Sequence, residues 1–107
     1  MSSGKESISG STGSTSFGIN TIAFGSGSRS NGNNSFAVNI GANVEGAGTL
    51  AYGSQAHAEG SSTIAYENSS HAEGTLSQAI GYASHAEGNN SVAFESASHA
   101  EGQNTRA

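Results

Sequence analysis

The chain lacks several residue types that would otherwise point to a function. Its 107 residues include no cysteine, proline, tryptophan or aspartate. The absence of cysteine excludes disulfides and thiolate metal sites, and the absence of aspartate excludes the turn ligands of calcium-binding solenoids. Only 3 basic residues stand against 8 acidic ones, and the net charge of -5 argues against nucleic acid or an anionic membrane as a partner. No apolar run approaches the roughly 20 residues of a membrane span, so we expect no direct membrane contact in this segment.

The chain is also poor in apolar residues, which make up 33% of it, whereas glycine occurs 16 times. Such a composition is typical of disordered linkers. One small domain with so few bulky side chains can hardly bury enough surface to offset the entropy of ordering the chain. If the chain folds, we therefore expect other copies of it to complete the core.

A strict period of fourteen residues argues against disorder. The sequence His-Ala-Glu-Gly begins at His57, His71, His85 and His99. A short and regular repeat of this kind indicates a solenoid, in which each repeat forms one coil of the chain. Glycines keep the same phase along the whole sequence, at Gly4, Gly18, Gly32, Gly46, Gly60, Gly74, Gly88 and Gly102.

Each repeat contains two alternating segments separated by turn residues, which predicts two strands per coil. A coil of fourteen residues encloses a thin interior that admits Ala and Ser but not Phe. The alanines should therefore point into the coil, together with the Ser and Thr residues of the same parity. The alanines predicted to lie in the coil interior are Ala23, Ala37, Ala51, Ala58, Ala65, Ala72, Ala79, Ala86, Ala93 and Ala100.

The bulky residues that alternate with these alanines should point out of the coil and form an apolar stripe. A stripe of that length on a soluble protein predicts an interface between copies of the chain. Gln78 is its polar exception, and Leu76 and Ile80 are predicted to flank Gln78 on the same face. The predicted interface comprises Ile22, Phe24, Phe36, Val38, Leu50, Tyr52, Ile64, Tyr66, Gln78, Ile80, Val92 and Phe94.

The His and Glu residues of the repeated motif should line the outside of the second strand. They are a candidate ligand-facing ladder: His57, Glu59, His71, Glu73, His85, Glu87, His99 and Glu101. Three interpretations remain open: a polar scaffold that keeps the strands soluble and in register, a divalent-metal site on the four histidines, and a pH-sensitive binding surface. Four equivalent pairs on a flat wall do not form the single cleft that catalysis needs. We therefore predict neither an enzyme nor a cofactor.

At Asn90-Ser91-Val92-Ala93-Phe94 and at Ser98-His99-Ala100-Glu101-Gly102, the sequence resembles the head repeats of trimeric autotransporter adhesins, the YadA-like or Hep/Hag family with the SHAEG motif. The resemblance covers residues 17–107 and leaves residues 1–16 as a degenerate first repeat or weak cap. It implies a left-handed parallel β-roll with three chains around one axis. It also implies a place on the bacterial cell surface, anchored to the outer membrane through parts absent here.

The resemblance predicts an adhesive and structural function. We expect a head segment of a longer fibre that binds host matrix or cell-surface proteins or glycans multivalently, or that acts as a rigid scaffold. Similar repeats occur in phage tail and neck-appendage fibres, which is the alternative assignment. A metal-binding solenoid is a more distant one.

Overall fold

A computed structural model describes Ser2, Ser3 and residues 6–107 of the chain. In this part of the chain every regular element is a β-strand. None of the described residues belongs to a helix long and apolar enough to cross a membrane. The strands are, in chain order, β1 (Ser2–Ser3), β2 (Ile8–Ser9), β3 (Thr15–Phe17), β4 (Ile22–Ala23), β5 (Arg29–Asn31), β6 (Phe36–Ala37), β7 (Asn43–Ala47), β8 (Leu50–Ala51), β9 (His57–Ser61), β10 (Ile64–Ala65), β11 (His71–Thr75), β12 (Gln78–Ala79), β13 (His85–Asn89), β14 (Val92–Ala93) and β15 (His99–Gln103).

Parallel pairing at a constant offset of fourteen residues stacks these strands into a solenoid. The odd-numbered strands form one sheet in chain order, here called sheet 1, and the even-numbered strands form sheet 2. Equivalent residues pair, as Ala72 does with Ala86 in sheet 1 and Ala65 with Ala79 in sheet 2. The stack measures 36 × 20 × 10 Å, as expected for strands about 4.8 Å apart. The predicted all-β parallel solenoid of fourteen-residue coils is confirmed, whereas left-handed winding and trimeric assembly remain predictions.

Small side chains fill the space between the two sheets. All ten alanines predicted to lie there have exposed fractions of 0%, except Ala100 at 3%. Several buried hydroxyls bond to main-chain carbonyls at the corners. For example, the Ser84 Oγ donates to the Gly81 oxygen at 2.7 Å. The Ser91 Oγ lies 2.9 Å from the Glu87 oxygen and 2.8 Å from the Gly102 oxygen. The serines therefore satisfy carbonyls that a wholly apolar interior would leave unpaired.

The glycine at the end of each repeated motif forms a corner that excludes other residues. Gly74 has a φ of +106° and Gly88 a φ of +116°, which side chains with a Cβ rarely adopt. A Cβ on Gly74 would lie 2.1 Å from the carbonyl oxygen of Gly88 in the next coil. The same construction on Gly60 gives 2.0 Å to the Gly74 oxygen. Glycine is therefore needed here because successive coils approach backbone to backbone.

Two further corners of each coil also have positive φ, but they accept other residues. Leu76 lies at one of them with φ +59° and is 50% exposed. Leu76 precedes β12, which begins at Gln78, and its position beside Gln78 on the same face stays a prediction. The non-glycine residues at the Leu76 corner are Glu6, Asn20, Asn34, Ser62, Leu76, Asn90 and Asn104, and those at the other corner are Gln55, Ser69, Ala83 and Ala97.

The described part of the first repeat follows the same register as the others. Ile8 pairs with Ile22, and Ser9 pairs with Ala23. Gly10 replaces a bulky residue, and the ring of Phe24 covers it so closely that a Cβ on Gly10 would lie 2.3 Å from the ring. The boundary between residues 1–16 as a weak cap and residues 17–107 as the repeat domain stays a prediction.

Candidate functional site

Four histidines form a continuous stack along sheet 1. His57, His71, His85 and His99 begin the consecutive strands β9, β11, β13 and β15. Because these strands pair in register, successive imidazole rings lie 4.8, 4.7 and 4.7 Å apart between centroids, with planes within 4° of parallel. The glutamates two residues later are aligned in the same way. We call these four histidines with Glu59, Glu73, Glu87 and Glu101 the His/Glu ladder.

Within each coil the imidazole lies against the carboxylate of the same motif. The distances from Nε2 to Oε2 are 3.3, 3.3, 3.2 and 3.5 Å from the first rung to the fourth. In the first three rungs, Nε2 is shielded from solvent and has no hydrogen-bond partner among the described residues. The carboxylate therefore lies at ion-pair distance without the angle that a hydrogen bond requires.

Burial in the stack favours the neutral form of the central imidazole. Desolvation lowers the pKa of His71 below its ordinary value, and the neighbouring His57 and His85 lower the pKa further. Glu59 and Glu87 act in the opposite direction. At neutral pH the His71 ring is therefore uncharged, and one of its two nitrogens carries a free lone pair.

The central carboxyl group of the ladder is also shifted toward its neutral form, in its case because its pKa is raised. A hydrogen bond with the Glu59 side chain raises the pKa of Glu73 to about 6, and burial and the neighbouring Glu87 add to this rise. The carboxylates line a shallow groove of about 550 Å³, bounded by Glu45, Glu59, Glu73 and Glu87 and by the glycine after each of them. The groove concentrates negative charge along one side of the solenoid.

The ladder brings possible metal ligands together across neighbouring coils. Three groups of three side chains each offer one ligand atom, and the atoms of a group lie within 4.8 Å of one another. An imidazole nitrogen and carboxylate oxygens are ligands that first-row divalent metals accept. The groups are Glu45–His57–Glu59, Glu59–His71–Glu73 and His85–Glu87–His99.

Sequence reasoning missed Glu45 as a member of this surface. Glu45 pairs with Glu59 through β7 and β9, while Asn43 takes the place of a histidine. The signal was available, because Glu45 lies fourteen residues before Glu59. One coil further, in β5, Arg29 occupies the histidine position. The row of histidines therefore stops at His57 in β9.

The bulky residues predicted to form an interface lie along sheet 2 and its edge. Phe24, Tyr52, Tyr66 and Phe94 are 46–49% exposed, and the rings of Tyr52 and Tyr66 stack at 5.4 Å between centroids. Val92 differs from them, since it is only 6% exposed in the single chain. The remaining members, Ile22, Val38, Leu50, Ile64, Gln78 and Ile80, are half-buried, and Phe36 is 39% exposed.

Two apolar side chains beside this stripe were not predicted. Ile40 is 62% exposed and Tyr82 is 58% exposed, and both occupy the same position of their repeats, two residues beyond Val38 and Ile80. The alternation that identified the stripe continues to them. They widen the apolar surface at two of its coils.

Comparison with protein families identifies the repeat. A family model described as the YadA head domain repeat matches the chain twice, at residues 18–38 and 72–94. The predicted resemblance to YadA-like head repeats is thereby confirmed, and this is a family of adhesin heads rather than of enzymes. The coils between the two matched segments have the same register. No curated protein matches the sequence.

Proposed function

We propose that this chain, which carries YadA head domain repeats, is a head segment of a trimeric adhesin on the surface of a bacterial cell. Three copies would wind as left-handed rolls around a common axis and cover one another's apolar stripes. The remaining surface, including the His/Glu ladder, would face outward. The segment would serve both as a rigid scaffold and as a surface that meets host proteins or glycans.

The exposed apolar stripe is the observation that carries this proposal. Phe24, Tyr52, Tyr66 and Phe94 each leave nearly half of their surface in water. Burial of a whole aromatic side chain contributes about 1.5–3 kcal/mol, so covering the remaining half contributes about 1 kcal/mol per residue. Association of three chains repeats this gain at every coil, whereas the interior of one coil contains little more than alanine and serine.

The proposed mode of binding is repetition of shallow contacts. The groove along the carboxylates is open and repeats from coil to coil, which suits a ligand that touches several coils at once. Three such surfaces on one fibre would raise the apparent affinity by multivalency without a deep pocket.

The mass of the protein in solution tests the assembly. We expect about three times the chain mass of 10.6 kDa in light scattering after gel filtration. The double variant Tyr52→Ser with Tyr66→Ser should shift this mass toward that of the single chain. A matched control, His71→Ser with His85→Ser, also removes two stacked rings but from sheet 1, and it should leave the mass unchanged. A monomeric parent protein, or a control that dissociates as readily, would contradict the proposal.

Adhesion to matrix proteins and to host cells tests the role of the ladder. Replacing all four ladder histidines with alanine should weaken adhesion while the protein stays trimeric. Unchanged adhesion by a trimeric variant would assign the ladder to the scaffold alone.

A further inference from the structure

We propose that the His/Glu ladder binds first-row divalent metal ions of the zinc class, each held by three side chains from adjacent coils. In two of the three candidate groups the ligands are two carboxylates and one imidazole, and in the third they are one carboxylate and two imidazoles. The fourth position of a tetrahedral ion would be left to water or to a ligand of the fibre.

The unsatisfied imidazole nitrogens are the first observation behind this inference. The Nε2 atoms of His57, His71 and His85 are shielded from solvent without a hydrogen-bond partner in the described part of the chain. A buried polar atom without a partner is rare in a folded protein and points to an atom that belongs there. A metal ion would supply that partner, because neutral imidazole coordinates through its free lone pair.

The spacing of the ligand atoms is the second observation. The four Nε2–Oε2 distances are 3.2–3.5 Å, and they lack hydrogen-bond geometry in the first three rungs. Zinc lies about 2.0–2.1 Å from imidazole nitrogen and about 2.0–2.2 Å from carboxylate oxygen, which at a tetrahedral angle separates the two atoms by about 3.3–3.5 Å. The two side chains of one motif are thus separated by about one edge of a zinc tetrahedron, and the third ligand atom of each group lies within 4.8 Å of the other two.

The chemistry of the ligands also determines which ions are accepted. Magnesium and calcium prefer all-oxygen sites, whereas imidazole favours zinc, copper and nickel. Binding that depends on the histidines should therefore discriminate strongly between these two classes of ion. A purely electrostatic attraction to the row of carboxylates would not.

The sharing of ligands limits the stoichiometry. Glu59 belongs to two of the three groups, whereas His85–Glu87–His99 shares no residue with either of them. Two divalent ions in adjacent coils would also repel each other across the spacing of one coil. We therefore expect two ions per chain. Each group lies within one chain, so the inference stands whether or not the proposed adhesin trimer is correct.

Titration calorimetry of the metal-free protein with zinc chloride tests the site. We expect two zinc ions per chain, bound at least about tenfold more tightly than magnesium under the same conditions. The double variant Glu59→Gln with Glu87→Gln removes one ligand from each of the three groups and should weaken zinc binding about tenfold or more. The matched control Glu67→Gln with Glu95→Gln removes the same charge from exposed positions outside the ladder, and it should bind zinc within about twofold of the parent.

Electron paramagnetic resonance of the parent protein loaded with copper(II) gives a readout that needs no variant. Coordinated imidazole should produce nitrogen hyperfine coupling, which carboxylates alone cannot produce. The inference is overturned if zinc does not bind, if zinc and magnesium bind equally, if the two double variants weaken binding equally, or if the copper spectrum shows no nitrogen coupling.

Discussion

Gly74→Ala should destabilise the fold far more than an ordinary surface substitution. Gly74 has a φ of +106°, and a Cβ there would lie 2.1 Å from the oxygen of Gly88, 2.9 Å from its nitrogen and 3.0 Å from its carbonyl carbon. All three atoms belong to the backbone of the next coil. No rotation of a side chain can relieve the overlap, so the coils themselves must move apart.

The size of the effect follows from two contributions. Holding alanine at such a φ costs about 1–3 kcal/mol. Moving the Gly88 peptide by about 1 Å weakens the hydrogen bonds that join the two coils, at about 1 kcal/mol each. A loss of about 3 kcal/mol per chain corresponds to a drop of roughly 10–20 °C in melting temperature for a domain of this size.

Thermal unfolding followed by circular dichroism at equal chain concentration measures this loss. Gly27→Ala is the matched control, because Gly27 has a φ of +73° and a Cβ there meets nothing within 4 Å. Alanine already occupies the equivalent corner at Ala83 and Ala97, with φ of +54° and +58°. We expect this control to lose about 1–2 kcal/mol, the cost of its left-handed backbone alone, and so clearly less than Gly74→Ala.

A melting temperature of Gly74→Ala within about 3 °C of the parent protein would contradict this prediction. An equal loss of stability in the two alanine variants would contradict it as well. Equal losses would mean that positive φ alone is costly and that the approach of the next coil is not.

Three further predictions concern the ladder, the interior and a corner. The pKa of Glu73 is raised from 4.5 to about 6 in the folded chain. The protonated side chain therefore stabilises the fold at low pH, and this stabilisation is lost as the pH rises through this range. Glu73→Gln should raise the melting temperature at pH 8 but not at pH 4, because glutamine stays neutral at both. In a denaturant titration, Ala79→Leu should destabilise the fold by about 1–3 kcal/mol because Ala79 is wholly buried. Gln78→Leu, on the outer face, should be neutral or stabilising in that titration. Leu76→Asn should stabilise by about 1 kcal/mol in thermal melts, because asparagine tolerates the left-handed conformation of this corner, and a loss of stability would contradict this account.

The interior could be predicted from the sequence because two simple constraints act together. Strand parity places every second residue on the same side, and a coil of fourteen residues has room there only for small side chains. Ala65 and Ala79 satisfy both constraints, and both are wholly buried. The spacing of the histidine rings follows from the same period, since identical residues in register must lie one strand apart.

The corners and the orientation of side chains could not be predicted in this way. Leu76 and Ala83 have positive φ although neither residue favours it, because the geometry of the stack overrides local preference. The direction of the His71 Nε2 atom depends on side-chain torsions that no periodic pattern specifies. Nor does spacing along the chain contain information about the hand of the coil.

Coils stacked in register by backbone pairing have a consequence for how this solenoid can change its length. Deleting or duplicating fourteen residues anywhere within the repeats removes or adds one coil, and every column of side chains continues across the junction. The solenoid would then shorten or lengthen in steps of about 4.8 Å. A deletion of thirteen residues would instead reverse the parity of one strand, exposing its alanines and forcing its bulky residues inward. The solenoid can therefore change its length by whole coils of fourteen residues, but not by a smaller number of residues.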